Sequence, residues 1–505
     1  MKIKLLLFLS IFPFIAFPQN DGDNFFGSDQ VHTVNITFSQ PNFWDSLLAY
    51  YAVDKFMSGN VEIDGTILDS SGVQLKGNSS FNSYPGVKKS MNLDFNEYVA
   101  GQDYDGLKKL NLNNGFKDPT MMREKIFLEF CKMIGMPAPR CTYAKVYING
   151  SYWGLYTAVE QVNKSFCEIN FGDDHGNLFK GDPHGDLKWK GSPESNYYTE
   201  YELKTNEDVN DWSDLVNLID NINNTPSANF YDSLEKVLDT ELYMKYWAAD
   251  IIFANLDSYT GSGHNYYMYH DTLSDQFKWI MWDCNEAFGN FNQGMSLDKI
   301  HGLNMLYIPA PQQDRPLTYF MALNNTYKDA YIDMICYYTE NYFNHAVLDP
   351  LIDSLADKIR TDYYADPNKM FTNQQFEDNI EMAIYVAGLP GGGDIAGLKS
   401  FITTRRDSLQ LELEQYGCFL DVPDVIMQKT MITVFPNPSS DFIQINISGI
   451  ISDYSDYLEI CDYTGKIVYR FSFAEKNQKI NIGLFNSGLY FLKYDNNYIK
   501  FQVIR

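Results

Sequence analysis

The hydrophobic period of this chain switches from that of strands to that of helices and back again, which divides it into a strand-built start, a helical middle and a strand-built end. VHTVNITF at 31–38, VEIDGTILDSSGVQLKGNSS and the following FNSYPGVKKSMNLDF alternate apolar and polar residues, with glycines at the turns. FWDSLLAYYAVDKF is a helix-like insertion among them. The block 116–135 turns helical, with Asp118-Pro119 suited to a cap and a first-turn proline ahead of Met121, Met122, Ile126, Phe127 and Phe130. RCTYAKVYINGSYWGLYTAVEQV reads as a hairpin around Asn149-Gly150. Helical periodicity then prevails over about 210–256 and 317–416. Strands first and helices second predict a two-lobed α+β plan, with the cleft between lobes as the natural ligand site. Beyond 433 the texture changes to short alternating strands with turns at Thr464-Gly465, Ser487-Gly488 and Asn496-Asn497. These predict a small antiparallel β-sandwich, and it carries no clustered His, Asp or Glu.

The ends and the charge narrow the setting. Residues 1–19 place Lys2 and Lys4 before an apolar run from Leu5 to Phe17, the pattern of a secretory signal peptide. A linker is expected at 20–30, the main domain at 31–420 and a second linker at 421–432. No other apolar stretch approaches bilayer-spanning length, so no transmembrane segment is expected after signal cleavage. A net charge of −26 argues against nucleic acid or an anionic membrane as the main partner. An anionic nucleotide would need local cations, and Lys76, Lys88, Lys89, Lys108 and Lys109 concentrate them in the first third. The seven cysteines lack metal-site spacing, which leaves incidental bridges and buried free thiols both open.

The chemistry concentrates between Asn255 and Phe291. FANLDSYTGSGHNYYMYHD, 253–271, leaves an apolar run, crosses a Gly/Ser loop carrying Asp257 and Asn265, and re-emerges as a strand of Tyr266, Tyr267, Met268 and Tyr269. FKWIMWD then delivers Asp283 at the end of a second strand. Singly, Asp257 fits a helix cap and Asp283 a turn. Together with Asn265 they read as a magnesium-nucleotide site, because phosphoryl transfer needs one carboxylate to orient the attacking hydroxyl and oxygen ligands to hold the cation on the phosphates. Asn285 and Glu286 could add an oxygen ligand. His264 and His270 lack a third ligand in metal spacing and are expected to be structural, and nothing pairs Cys284 with a base.

Two further segments supply candidates. In Lys88-Lys89-Ser90-Met91-Asn92-Leu93-Asp94-Phe95, strand alternation puts Lys89 on the apolar face and lets Lys88 reach water, so Lys89 is the first phosphate-binding candidate and Lys76 the second. Glu124, near the start of the expected helix, is placed to hold a strand lysine on phosphates. From this segment alone a solvated helix face is the simpler account.

GLKKLNLNNGFKDPTMMREKI, GMPAPRCTYAKVYINGSYWGLYTAVEQV, GNLFKG, NLDSYTGSGHNYYMYHD and WIMWDCNEAFGNF, in that order, resemble the CotH family, the spore-coat-protein-H-like kinases. The resemblance runs over roughly 31–416, where GLKSFITTRRDSLQLELEQYG looks like the closing helix. It implies an atypical protein-kinase-like fold that uses ATP and Mg²⁺ or Mn²⁺ to phosphorylate Ser or Thr of secreted or surface proteins. Carried over, Asp257 matches the catalytic-loop acid, Asn265 a metal-binding amide and Asp283 the metal-binding acid. Lys89 and Glu124 match the lysine–glutamate pair, and Glu160 falls where the family approaches adenine. Two positions depart from the pattern: Lys76 stands for an Arg in KGNSS, and Asn285 stands where many members carry a second metal-binding Asp. VFPNPSSD, YTGKIV and SGLYFLKY, over about 433–505, resemble the type A C-terminal sorting domain of the type IX secretion system, which implies export through the periplasm to the cell surface or medium. The expected function is an exported protein kinase, and the contrasting one is a catalytically inactive CotH-like protein used for surface binding or adhesion.

Overall fold

The computed structural model describes residues 20–387, 393–419, 431–448, 457–462, 465–472, 477–494 and 497–504. The signal peptide expected at 1–19, most of the linker expected at 421–432 and the turn residues Thr464 and Asn496 lie outside them. The chain divides into two units, Met1–Phe419 and Leu420–Arg505.

The first unit begins with a closed barrel of seven strands: β1 (His32–Thr37), β2 (Met57–Ile63), β3 (Thr66–Lys76), β4 (Ser90–Asp94), β5 (Lys109–Asn113), β6 (Cys141–Ile148) and β7 (Ser151–Glu160). Their order is β1-β2-β3-β4-β5-β7-β6, and a parallel pairing of β1 with β6, from His32 opposite Ala144 to Ile36 opposite Ile148, closes the ring. Alternation sends Val34, Val61, Val73, Leu93, Leu110 and Val146 inward to one apolar core. The β6–β7 turn falls on Asn149 and Gly150, at φ 48° and 78°, the left-handed pair that a two-residue hairpin requires.

Two expectations need correction here. Residues 20–30 do not behave as a linker. Phe25 is buried against His32, Arg140 pairs with Asp23 at 2.8 Å, and the Asn24 and Phe25 amides donate to the Asp105 carboxylate, so the segment is stitched onto the barrel. The helix expected from 116 begins only at Arg123, running to Met133. Lys117 and Met121 adopt φ of 58° and 59°, which no right-handed helix accommodates. Asp118 still serves the helix start, accepting from the Arg123 amide at 2.8 Å.

A helical body follows, built on Ser213–Asn224, Thr240–Ile252, Pro316–Leu323, Asn325–Asn341, His345–Ala365, Asn373–Glu381 and Leu398–Leu413. Side-chain caps start four of these helices where the sequence supplies them: Asp239, Asn324, Asn344 and Thr372, the last in a reciprocal capping box with Gln375. Against the body lies a four-stranded sheet of β8 (Leu178–Lys180), β9 (Glu202–Leu203), β10 (Tyr266–Asp271) and β11 (Gln276–Met281), ordered β11-β10-β8-β9. Cys336 and Cys418 form a disulfide, and Cys131, Cys141, Cys167, Cys284 and Cys461 are buried free thiols.

The second unit has a three-stranded sheet of Met431–Phe435, Phe442–Ser448 and Asn477–Asn481, and a four-stranded sheet of Tyr457–Asp462, Ile467–Ser472, Gly488–Tyr494 and Asn497–Val503. Ile443, Ile445 and Ile480 from the first share one apolar cluster with Leu458, Ile460, Leu492 and Phe501 from the second. No helix among the described residues is long and apolar enough to cross a membrane.

Candidate functional site

A cavity of about 550 Å³ opens between the barrel and the helical body. The barrel side contributes the loop after β3 and the β5–helix connection, and the helical side contributes the segments after Ile252 and Met281. The β10–β11 register pairs Tyr266 with Met281, so Asn265 and Asp283 leave the same end of that hairpin. Both are left-handed, at φ 59° and 56°, as is Lys117 opposite them. Non-glycine residues held there are strained by about 1 kcal/mol or more each, a cost that clusters at functional sites.

The loop bearing Asp257 is wrapped around a second, hidden carboxylate. Asp250, fully buried in the Thr240–Ile252 helix, accepts from Asn255 Nδ2 at 2.9 Å, Ser258 Oγ at 2.6 Å and Thr260 Oγ1 at 2.9 Å. Burial pushes its pKa up to about 7. Asp250 is absent from the residues expected at the site, although its signal is legible: an acid inside YWAADIIFAN must find donors, and Asn255, Ser258 and Thr260 follow at once.

Asp257 itself is half-buried, and its Oδ1 lies 2.8 Å from His264 Nε2. Burial first, then the neighbouring Glu286 and Asp283 carboxylates, push its pKa up to about 8. His264, expected to be structural, therefore lines the cleft and orients Asp257, whereas His270 lies against Asp214 and Asp275. Glu286 is pinned by Lys117 Nζ at 2.9 and 3.2 Å. Asp283 is exposed, and its side chain makes no hydrogen bond or ion pair among the described residues.

Asn265 and Asn285 share a useful asymmetry. Asn265 Nδ2 donates to the Asp257 carbonyl at 2.9 Å, and Asn285 Nδ2 donates to the Phe116 carbonyl at 3.2 Å. Each amide group is thereby anchored through its nitrogen, which leaves the oxygen as acceptor in a cavity that Asp283 also lines. Three oxygens of this kind suit a hard cation such as Mg²⁺. No group of three or more His, Cys, Asp or Glu among the described residues is arranged to hold a metal, so a cation here would depend on the two amides and on oxygens brought by a ligand.

The expected lysine–glutamate pairing is corrected in its lysine. Strand β4 starts at Ser90, so the alternation invoked for Lys88 and Lys89 does not reach them. Lys88 is fully buried, with its ammonium 2.6 Å from Asp366, while Lys89 donates to the carbonyls of Phe81 and Tyr84 and does not line the cavity. Lys76, at the end of β3, is the lysine near Glu124. Burial lowers its pKa against the opposing pull of Asp283 and Glu124, and the ammonium donates to Asn111 Oδ1 at 3.0 Å over the Trp282 ring. Glu124 is buried at the cavity wall, held by Asn113 Nδ2 at 2.9 Å, with a pKa pushed up to about 7 by burial and then by Asp283. Glu160 is displaced too: its carboxylate grips Arg140, with Nη2 at 2.5 Å, and lies outside the cavity. The structure thus brings Asp257, Asn265, Asp283, Asn285 and Glu124 to one cavity and leaves Lys76, Lys89 and Glu160 off its lining, with Lys76 near enough to feel the charge of Asp283 and Glu124.

A barrel and a helical body enclose a cleft lined by acids and amides, and comparison with known sequences gives the family. Residues 73–387, well over half of the chain, match the CotH kinase protein family, to which the chain belongs. Residues 433–503 match the secretion system C-terminal sorting domain. The inner spore coat protein H of Bacillus subtilis is 26% identical over 298 residues, 57% of this chain and 77% of that protein. Invasin CotH2 of Rhizopus delemar is 25% identical over 381 residues, 69% of this chain and 62% of that protein. Among solved structures, a Shewanella oneidensis MR-1 complex of the toxin–antitoxin proteins HipA and HipB with operator DNA aligns over 67% of this chain and 66% of its own, at 12% identity and a TM-score of 0.26, and adds nothing to the assignment.

Proposed function

We propose that the first unit is an ATP-dependent protein kinase of two-lobed, atypical kinase-like plan, acting on Ser or Thr of secreted or surface proteins. The observation that carries this reading is the exposed Asp283 carboxylate without a hydrogen-bond or ion-pair partner among the described residues, beside the anchored amides of Asn265 and Asn285 and the Asp257 carboxyl, whose pKa burial pushes up to about 8. A bound Mg²⁺ or Mn²⁺ would neutralise phosphate charge and hold the phosphates in line. Asp283 and the two amide oxygens are the residues that would hold it.

In this reading Lys76, whose charge acts on both Asp283 and Glu124, steadies the phosphates from the barrel in place of Lys89. Asp257, fixed by His264, accepts the proton of the attacking hydroxyl. The hydroxyl oxygen forms a bond to the γ-phosphorus, the bond from that phosphorus to the bridging oxygen breaks, and ADP leaves with the electron pair. The secretion sorting domain supports export by the type IX machinery, to the surface or medium, where the acceptor protein would be met.

The test is transfer of label from γ-labelled ATP, with Mn²⁺ or Mg²⁺, to a panel of exported proteins and to the chain itself, comparing wild type with Asp283→Ala. Equal background in both would end the kinase reading. A nucleotide-dependent thermal shift without transfer would favour the binding or adhesion protein.

A further inference from the structure

The cavity contains a cation that no reading above uses. Lys117 is the one Lys or Arg among the described residues lining it, where Asp118, Glu124, Asp182, Asp257, Asp283 and Glu286 supply the acids. The loop from Asp257 to Asn265 contains no Lys or Arg. On the helical side the cavity is lined by the carboxylates of Asp257, Asp283 and Glu286, the amides of Asn265 and Asn285 and the His264 ring, and by no Lys or Arg.

Lys117 is delivered to this place with unusual care. It is left-handed at φ 58° without being glycine. Its carbonyl accepts from Asn290 Nδ2 at 2.6 Å, and the preceding Phe116 carbonyl accepts from Asn285 Nδ2 at 3.2 Å, so two amides of the helical side clamp the barrel loop that carries it. The ammonium rests on both oxygens of Glu286 and lies near the rings of Phe116 and Phe291. An ammonium has three donors, so one bound to two oxygens of a single carboxylate keeps a donor for the cleft. Its charge also acts directly on Asp257, whose carboxyl it favours in the ionised form.

From this placement we propose that Lys117 is a catalytic residue that contacts the γ-phosphoryl group during transfer, held on Glu286 and reaching Asp257's side of the cleft from the barrel. The proposal rests on the kinase reading and adds a residue to it. The bonds made and broken are those of that reading. Lys117 donates a hydrogen bond to a non-bridging phosphoryl oxygen and neither gains nor loses a proton.

A double-substitution cycle tests it on the full chain, with γ-labelled ATP and Mn²⁺. Lys117→Met is expected to lower kcat about 100-fold while leaving the KM for ATP within about threefold, and Lys117→Arg to retain more activity than Lys117→Met. If Lys117 served only to neutralise Glu286, Lys117→Met with Glu286→Gln would recover wild-type turnover, and that recovery would overturn the proposal. A double variant still about 100-fold slow, with an undiminished MnATP-dependent thermal shift to show an intact site, supports it. Unchanged kcat in Lys117→Met overturns the proposal alone. No transfer by wild type overturns the kinase reading with it.

Discussion

Asp366 and Asp283 are both carboxylates that the helical body turns toward the barrel, and their surroundings differ completely. Asp366 is fully buried and accepts from Lys88 Nζ at 2.6 Å, the Leu155 amide at 3.0 Å and the Asn368 amide at 2.8 Å. Gly154 makes room for it, since a Cβ there would lie 2.7 Å from both carboxylate oxygens. Asp283 is exposed and has none of these partners. The saturated buried carboxylate ties the helical body to the barrel at Lys88 and Leu155, whereas the unsaturated one in the cavity keeps its lone pairs free to accept.

The contrast is broken most severely by removing the unsaturated member. Asp283→Ala is expected to abolish phosphoryl transfer by about 10³-fold or more while leaving the denaturation midpoint nearly unchanged; a large loss of stability would show that Asp283 is structural after all. Lys88→Met should do the reverse. It strands a buried Asp366 and is expected to cost about 3–5 kcal/mol in denaturant unfolding, with Lys88→Met/Asp366→Leu recovering much of it.

A pH series sharpens the same distinction. Asp257, Glu124 and Asp250 have pKa values pushed up to about 8, 7 and 7 by burial, so the folded chain keeps protons there that the unfolded chain releases near the ordinary carboxylate range. Stability without ligand should therefore fall as pH rises from about 4 to about 8, and Asp257→Asn should flatten the upper part of that slope in thermal unfolding. The smallest effect is expected at Lys89. Its ammonium serves two backbone carbonyls outside the cavity, so Lys89→Ala should leave transfer within about twofold.

These residues also show how far the sequence could be read. The β10–β11 hairpin was legible because its aromatic strand and its FKWIM strand are short and clearly bounded, and their pairing alone brings Asn265 beside Asp283. The β6–β7 hairpin was legible from Asn149-Gly150, whose chemistry dictates a turn. The lysines were not. Lys88 and Lys89 precede their strand, and which of them finds an anion is decided by Asp366, 278 residues further on. Lys117 was hidden for a related reason: the 116–122 segment has the apolar spacing of a helix, and only the left-handed residues at 117 and 121 turn it into the loop that presents this side chain. Local pattern reports what neighbours in sequence do to one another, and both misplacements come from distant partners.

The disulfide between Cys336 and Cys418 sits one residue before the end of the first unit. Tension applied to the chain beyond that point enters the fold through the sulfur bridge and the Asn325–Asn341 helix. The Leu398–Leu413 helix, which covalently precedes the bridge, is thereby shunted out of the line of force and cannot be peeled away from its C-terminal end while the bridge holds.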